Sequence, residues 1–456
     1  MHTGKICIVT LVVVYGHVAF VATKALEESG ETKLTTDLDS SDQKPPNVGN
    51  TSSGDINQTS RTTPELTTAA TTESKAAARV TAGTTKSRAT GHCDDTVCKP
   101  PGCTCISTAP PAGLAVKGMP QFVMLTFDDN INIANMLFYK RLLGGLKRKN
   151  KANGCSIAAT FFASAEYLDY KLVHELYAGG HEIALHTISH KTSPEYWNNL
   201  DTAGWEREVV DERKMIEKFA DVPAKDVNGF RAPFLLTGGD NGFRMLQRHL
   251  TFDSSLVHQR YPQEPPFFPY TLDYGFKRAC VVGPCPQDSY PGLWEVPLNV
   301  FFKDRDVDGK LMRMPCPMVD GCVPHPTSAN ETFDYLRSNF EAFYKVNRAP
   351  LPVFVHEAWL RDPAREEGYL RFVDWMLEKE DVFLVTVSEV LEFMRNPKPI
   401  GAYKQRHCMK SVPEPTCMKS MNCPFLETQF GSARYMRTCS ALCPKNYPWV
   451  NNPLGK

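Results

Sequence analysis

The chain has 456 residues, and its 51 basic side chains are matched by 51 acidic ones. With no net field to attract a polyanion, nucleic acid and anionic membrane surfaces are poor partners, and a neutral polymer or a small neutral ligand fits better. Fifteen cysteines place the chain in an oxidising compartment.

Residues 1–25 read as a secretory signal peptide: Lys5, an apolar stretch over 6–22, then small residues at 22–25. Cys7 falls inside it and leaves an even fourteen, enough for up to seven disulfides in a secreted protein of the extracellular matrix. Residues 26–91 are rich in Thr, Ser and Ala, with too little apolar surface to offset the entropy of ordering, and are expected to form a disordered stalk. The stalk carries two N-glycosylation sequons, Asn50-Thr51-Ser52 and Asn57-Gln58-Thr59. A Cys-rich segment follows at 92–117. Its Cys93, Cys98, Cys103 and Cys105 have the density of a zinc knuckle, but in an exported chain a disulfide staple is the better reading.

Over 118–398 short apolar runs alternate with amphipathic stretches. Strands are predicted at 122–126, 157–162, 182–185, 227–230, 252–254, 293–296, 353–355 and 382–387. Helices are predicted at 133–148, 170–178, 202–220, 242–249, 331–346, 365–379 and 388–394. This alternation predicts an α/β fold, an irregular (β/α) barrel, and no glycine-rich dinucleotide motif argues for an open sheet. A third sequon, Asn330-Glu331-Thr332, falls at a helix start. The remaining 399–456 form a Cys-rich extension, expected to wrap the catalytic part. Its Cys408, Cys417, Cys423, Cys439 and Cys443 are odd in number, so one bridge returns to the catalytic part, with Cys155 a candidate partner; Cys280 with Cys285 and Cys316 with Cys322 suit local loops.

Polar residues stand at the ends of four of these strands. Asp128 and Asp129 follow the first, His186 the third, Arg231 ends 227–230, and His356 follows 353–355. Two imidazoles four residues apart, His186 and His190, reach one metal from a single turn, while an adjacent carboxylate pair supplies a third ligand and an ionised base. Such a constellation at the C-terminal edge of a barrel suits hydrolysis. The run from His181 to His186 has the look of a zinc-protease helix, but its second His comes one residue late and the stretch reads as a strand.

Thr126-Phe127-Asp128-Asp129, His186-Thr187-Ile188-Ser189-His190, Arg231-Ala232-Pro233-Phe234 and Val355-His356 resemble the ordered motifs of the polysaccharide deacetylases, the NodB-homology group called carbohydrate esterase family 4. The stretches 269–274 and 291–299, and the cysteines at 93–105, are similar to sequences of animal chitin deacetylases. The resemblance implies that Asp129, His186 and His190 hold a divalent metal, zinc or another, and that Asp128 is the general base, kept ionised by Arg231. It further implies that a backbone N–H near Phe234 supports the oxyanion and that His356 protonates the departing amine. Phe234 is expected to touch substrate, Phe354 or Val355 to line the acetyl pocket, and Trp294 either to shape that pocket or to belong to the core. Asp253 and Glu295 are the candidates for the acid that tunes His356. The implied activity is removal of acetyl groups from chitin, the N-acetylglucosamine polymer, to give chitosan and acetate. The alternative is a matrix protein that keeps the fold and binds chitin without turning it over. The mature chain is expected to be a monomer with no membrane span, and its partners are chitin or N-acetylglucosamine oligosaccharides.

Overall fold

The computed structural model describes residues 9–14, 17–22, 92–409, 417 and 419–456. Strands Val9–Val14 and His17–Ala22 pair as an antiparallel hairpin, in a unit separate from the one that spans Ser87–Lys456. The stalk at 26–91 with its two sequons, and the rest of the signal segment, lie outside the described residues. Among the described residues no helix is long and apolar enough to cross a membrane.

In the larger unit, strands β1 (Gln121–Asp128), β2 (Ala159–Ala163), β3 (Glu182–Leu185), β4 (Gly229–Phe230) and β5 (Phe252–Asp253) alternate with helices α1 (Ile133–Leu143), α2 (Tyr170–Ala178), α3 (Pro194–Asn199), α4 (Thr202–Ala220) and α5 (Gly239–His249). The short strand β6 (Val257–His258) precedes β7 (Tyr270–Leu272), β8 (Tyr290–Glu295) and β9 (Leu298–Asn299), and the hairpin β10 (Phe301–Val307) and β11 (Lys310–Cys316) follows. The chain then runs through α6 (Ala329–Tyr344), β12 (Leu351–His356), α7 (Pro363–Leu377), β13 (Val382–Leu384) and α8 (Val387–Arg395) to a last hairpin, β14 (Met421–Phe425) and β15 (Arg434–Thr438).

Nine of these strands form one sheet in the order β12-β1-β2-β3-β4-β5-β8-β7, with β13 also paired to β1. All neighbours are parallel except β7 and β8. β1 is buried along its whole length, as a parallel strand covered on both faces must be. Among the described residues β12 and β7 end the sheet and are not hydrogen-bonded to each other. The parallel pair β6 and β9 stands in that gap, and Leu235, Val257, Leu298, Val300 and Phe354 fill it with side chains. This is the irregularity of the barrel.

The helices begin where side chains satisfy their free N–H groups. Asn132 and Asn135 form a reciprocal capping box on α1, Asp169 caps α2, Asp201 caps α4, Ser328 caps α6, and Asp362 followed by Pro363 starts α7. The last predicted strand, 382–387, stops early at Leu384 because Thr386 accepts the Glu389 N–H and starts α8. Hairpin β10–β11 escapes the sequence reading, since residues 303–315 are mostly exposed and show no run of buried apolar side chains. Its turn at Asp308 and Gly309, both at positive φ, is nevertheless a strong hairpin signal. Gly229 is required by packing: a Cβ there would stand 2.0 Å from the Phe252 ring of β5.

All fourteen cysteines of the described residues are paired, as Cys93–Cys105, Cys98–Cys103, Cys155–Cys408, Cys280–Cys285, Cys316–Cys322, Cys417–Cys439 and Cys423–Cys443. The odd C-terminal cysteine therefore does return to the catalytic part, through Cys155, and the knuckle-like cluster is a disulfide staple. The C-terminal hairpin lies against α2 and α4, with Arg437 bonded to Asp169 and the Cys439 N–H to the Phe219 carbonyl.

Candidate active site

Parallel register carries the polar strand ends to one edge. Asp128 is paired with His356 across β1 and β12, and the ladder continues from Asp128 to Phe162, Phe162 to Ala184, and Leu185 to Phe230. Residues that follow these positions in the chain, Asp129, His186 and Arg231, therefore emerge together.

Arg231 is wholly buried, and its guanidinium lies between the rings of Phe162 and Phe354, 4.0 Å from each centroid. Its N–H groups are assigned in fixed directions: Nε donates to the Ser254 carbonyl at 2.8 Å, Nη2 to the Ser254 hydroxyl at 2.9 Å, and Nη1 to Asp128 Oδ1 at 2.6 Å. Burial lowers the pKa of the guanidinium and Asp128 opposes that shift. Asp128, itself only 4% exposed, is thus a buried carboxylate with a buried cationic partner.

Asp129, His186 and His190 bring three ligand atoms within 4.8 Å of one another. His190 Nε2 is 3.4 Å and His186 Nε2 3.8 Å from Asp129 Oδ1, and the two Nε2 atoms are 3.2 Å apart. His186 Nδ1 stands 2.7 Å from the Arg231 carbonyl, an acceptor only, so Nδ1 carries the proton and Nε2 presents a lone pair. Burial, with His190 beside it, lowers the His186 pKa to about 3, which keeps that ring neutral. Two imidazole nitrogens and a carboxylate oxygen converging on one point, with the Asp129 side chain 43% exposed, fit a divalent cation with room for further ligands.

The turn that holds the two imidazoles is constrained at every amide. The His186 and Thr187 N–H groups donate to Glu212 at 3.1 and 2.8 Å, Ile188 N–H to the Glu208 carbonyl, Ser189 N–H to the Glu208 carboxylate at 2.9 Å, and His190 N–H to the Thr187 hydroxyl at 3.2 Å. Thr187 and His190 both have positive φ, which a β-branched residue adopts only when its surroundings enforce it. Glu208 and Glu212 are fully buried on α4, and burial pushes the Glu212 carboxyl well up. Sequence reasoning missed both. Their signal is that two acids occupy the same apolar stripe of α4 as Trp205, Val209, Met215 and Ile216.

His356 differs from its expected setting. Asp253 and Glu295 do not reach it: Asp253 bonds Ser255, Glu295 bonds the Leu256 N–H, and both face Arg231. Burial pushes Asp253 up to about 6 and Glu295 well above the usual carboxylate range. The partner of His356 is Asp320, whose Oδ2 is 2.6 Å from Nδ1 and also accepts the His356 backbone N–H at 3.0 Å. Asp320 sits in a single turn, Val319–Gly321, inside the loop closed by Cys316–Cys322. Burial disfavours the imidazolium, but the Asp320 charge and hydrogen bond outweigh it and hold His356 up to about 10. Nδ1 is thereby occupied, leaving Nε2 for other work.

Of the side chains expected to touch substrate, Phe234 alone has accessible surface, its ring 5.0 Å from that of His190. Trp294 and Phe354 are 2% and 1% exposed and Val355 is wholly buried. Phe354 instead supports Arg231 from below. Phe234 has positive φ in the turn Pro233–Leu235, where Leu235 and Leu236 N–H bond back to Ala232 and Pro233. Among the described residues the Phe234 N–H has no such acceptor.

The polysaccharide deacetylase family profile matches residues 115–243. Chitin deacetylase 8 of Bombyx mori is 39% identical over 80% of this chain and 93% of its own length. Chitin deacetylase 1 of the same organism is 34% identical over 80% of this chain and 68% of its length. Among solved structures, the catalytic domain of a peptidoglycan N-acetylglucosamine deacetylase from Eubacterium rectale aligns over 62% of this chain and 94% of that one, at 14% identity and a TM-score of 0.34. The chain belongs to the polysaccharide deacetylase family, carbohydrate esterase family 4, among the animal chitin deacetylases, which are hydrolases of carbon–nitrogen bonds other than peptide bonds.

Proposed function

We propose that this protein is a secreted, metal-dependent enzyme that hydrolyses the N-acetyl groups of chitin to leave glucosamine units and acetate. The observation that carries the reading is the pairing of Asp128 with His356 across β1 and β12, each with its own oppositely charged partner, Arg231 and Asp320, beside a three-donor cluster. Secretion is supported by the seven disulfides, and the exposed Asn330 sequon suits a glycoprotein.

Asp129, His186 and His190 would hold the cation, zinc by the chemistry of two imidazole nitrogens and a carboxylate oxygen. When bound, it would supply Lewis-acid charge to the acetamide carbonyl and to the attacking water. Asp128 takes the proton as the water oxygen adds to the carbonyl carbon, and the Arg231 guanidinium holds its carboxylate in place through Nη1. The Phe234 N–H donates to the developing oxyanion. His356, charged through Asp320, delivers the proton from Nε2 to the amide nitrogen as the C–N bond breaks. One proton of the water goes to Asp128 and its OH to the carbonyl carbon, one proton leaves His356 for the nitrogen, and the acetic acid released gives its remaining proton to the free amine, so acetate and an ammonium group separate without free hydroxide.

The test is acetate release from N-acetylglucosamine oligomers before and after chelation, and after zinc is restored. Activity lost with the metal and regained with it is the expected result. A chain that binds chitin but releases no acetate with any divalent metal would instead be the non-catalytic matrix protein.

A further inference from the structure

Trp449 separates two hollows on the surface, outside the cleft just described. One, of about 400 Å³, lies between the C-terminal extension and the start of α4, and is lined by Lys191, Tyr196, Arg207, Trp449 and Asn451. The other, of about 470 Å³, lies on the extension itself and includes Glu427, Gln429, Asn446, Trp449 and Asn452. Both volumes fall in the range of small-ligand sites, about 300–1,000 Å³.

The indole is half-buried and firmly backed. Phe430 meets it edge-on at 4.8 Å and Tyr447 lies 6.1 Å away. Its backbone forms reciprocal hydrogen bonds with Asn452 at 3.1 and 2.9 Å, which closes a tight loop that presents Val450 and Asn451, the latter at positive φ. The Cys423–Cys443 bridge ties this part of the extension together. A rigid aromatic ring with exposed amide, guanidinium and ammonium groups beside it offers an apolar platform with hydrogen bonds at its rim, at low entropic cost.

The first hollow is also joined to the site. Lys191 follows His190 directly, and Tyr196, which forms the wall under the Lys191 ammonium 3.9 Å from its ring, donates its hydroxyl to Glu208. Glu208 is the carboxylate that fixes Ser189.

We propose that Trp449 and its two flanking hollows bind the sugar chain of the polymeric substrate beyond the cleft, with a pyranose face on the indole and amides of Asn451 and Gln429 at its hydroxyl and acetamido groups. This deepens the deacetylase reading and rests on it for the identity of the polymer. Hydroxyls and acetamides are neutral donors and acceptors, in keeping with a chain of zero net charge.

The test compares wild type, Trp449→Ala, Trp449→Phe and the exposed-residue pair Arg207→Ala/Gln429→Ala. Two readouts are used: the ratio of kcat/KM for the N-acetylglucosamine hexamer to that for the dimer, and depletion of the protein by colloidal chitin in an Asp128→Asn background. In Trp449→Ala both should fall roughly tenfold, the loss of about 1.4 kcal/mol expected when a central aromatic is truncated. Trp449→Phe should recover most of each, and the exposed pair should show a smaller fall at wild-type melting temperature. If hexamer and dimer decline together with thermal stability, Trp449 is only structural and the proposal is overturned. Unchanged depletion in both Trp449→Ala and the exposed pair also overturns it. Absence of acetate release from wild type would sink the enzymatic reading alone, because depletion by chitin still decides this one.

Discussion

Asp320 Oδ2 stands 2.6 Å from His356 Nδ1, although 36 residues separate the two in the chain. The carboxylate comes from a disulfide-closed loop and the imidazole from the end of β12, so neither element alone makes the acid. The partnership moves the His356 pKa from an ordinary 6.5 to about 10. A proton donor must be charged to act, so the high-pH limb of kcat should lie well above neutrality. In Asp320→Asn that limb should move down towards 6.5. A cation at Asp129, His186 and His190 adds positive charge nearby and lowers the limb in both proteins, so the comparison is made at equal metal loading. An unmoved limb would show that another group is the acid.

The same pair links stability to pH. His356 is raised in the folded state, so its contribution is complete below about pH 6.5 and is lost as pH rises towards 10. Denaturant midpoints of the wild type should fall across that window. Asp320→Asn should show a shallower fall, and an identical slope in both would exclude the ion pair as its cause.

Glu212 should matter to metal binding without touching metal. It accepts the N–H groups of His186 and Thr187, and Thr187 has a φ of 80°. Glu212→Ala leaves the Thr187 N–H without its acceptor and the His186 N–H with the Ala163 carbonyl alone, which frees a strained turn, so zinc affinity should drop about 10–100-fold, the usual cost of losing a partner that orients a ligand. Glu212→Gln keeps an acceptor oxygen and should recover much of it. Competition with a chromophoric chelator measures both, independent of turnover.

What could be read in advance divides along physical lines. Asp128, Asp129, His186, Arg231 and His356 were legible because each follows an apolar run, and parallel strands bring such positions to one edge. Asp320 was not, because it lies in a Cys-closed loop and no periodicity relates 320 to 356. Glu208 and Glu212 were hidden by the amphipathic reading of α4, which treats acids as solvated although these two are wholly buried. Trp294 and Phe354 stood near the right strands, but alternation turned them into the packing instead of the cleft.

Cys155–Cys408 spans 253 residues and anchors the C-terminal extension to the segment before β2. A bridge over so long a loop restricts the unfolded chain strongly. Replacing both cysteines by Ser should lower unfolding free energy by about 2–4 kcal/mol. Metal affinity should be unchanged, since the triad belongs to other elements. A loss of zinc binding in the folded variant would show that the extension helps shape the site.

Asp128→Asn separates chemistry from assembly. The amide keeps the shape of the carboxylate and offers Arg231 an acceptor oxygen, but it cannot take a proton from water. Asp128 lies beside, not among, the converging donors of Asp129, His186 and His190. Zinc affinity should therefore stay near that of the wild type while acetate release falls by about 100-fold or more, the range attributed to a positioned general base. The variant also leaves the buried Arg231 guanidinium without its counter-charge, so its melting temperature should drop, as it does when one member of a buried ion pair is removed. Activity is accordingly measured well below that temperature. Wild-type turnover by Asp128→Asn would rule out Asp128 as the base, and loss of zinc together with activity would place Asp128 among the ligands.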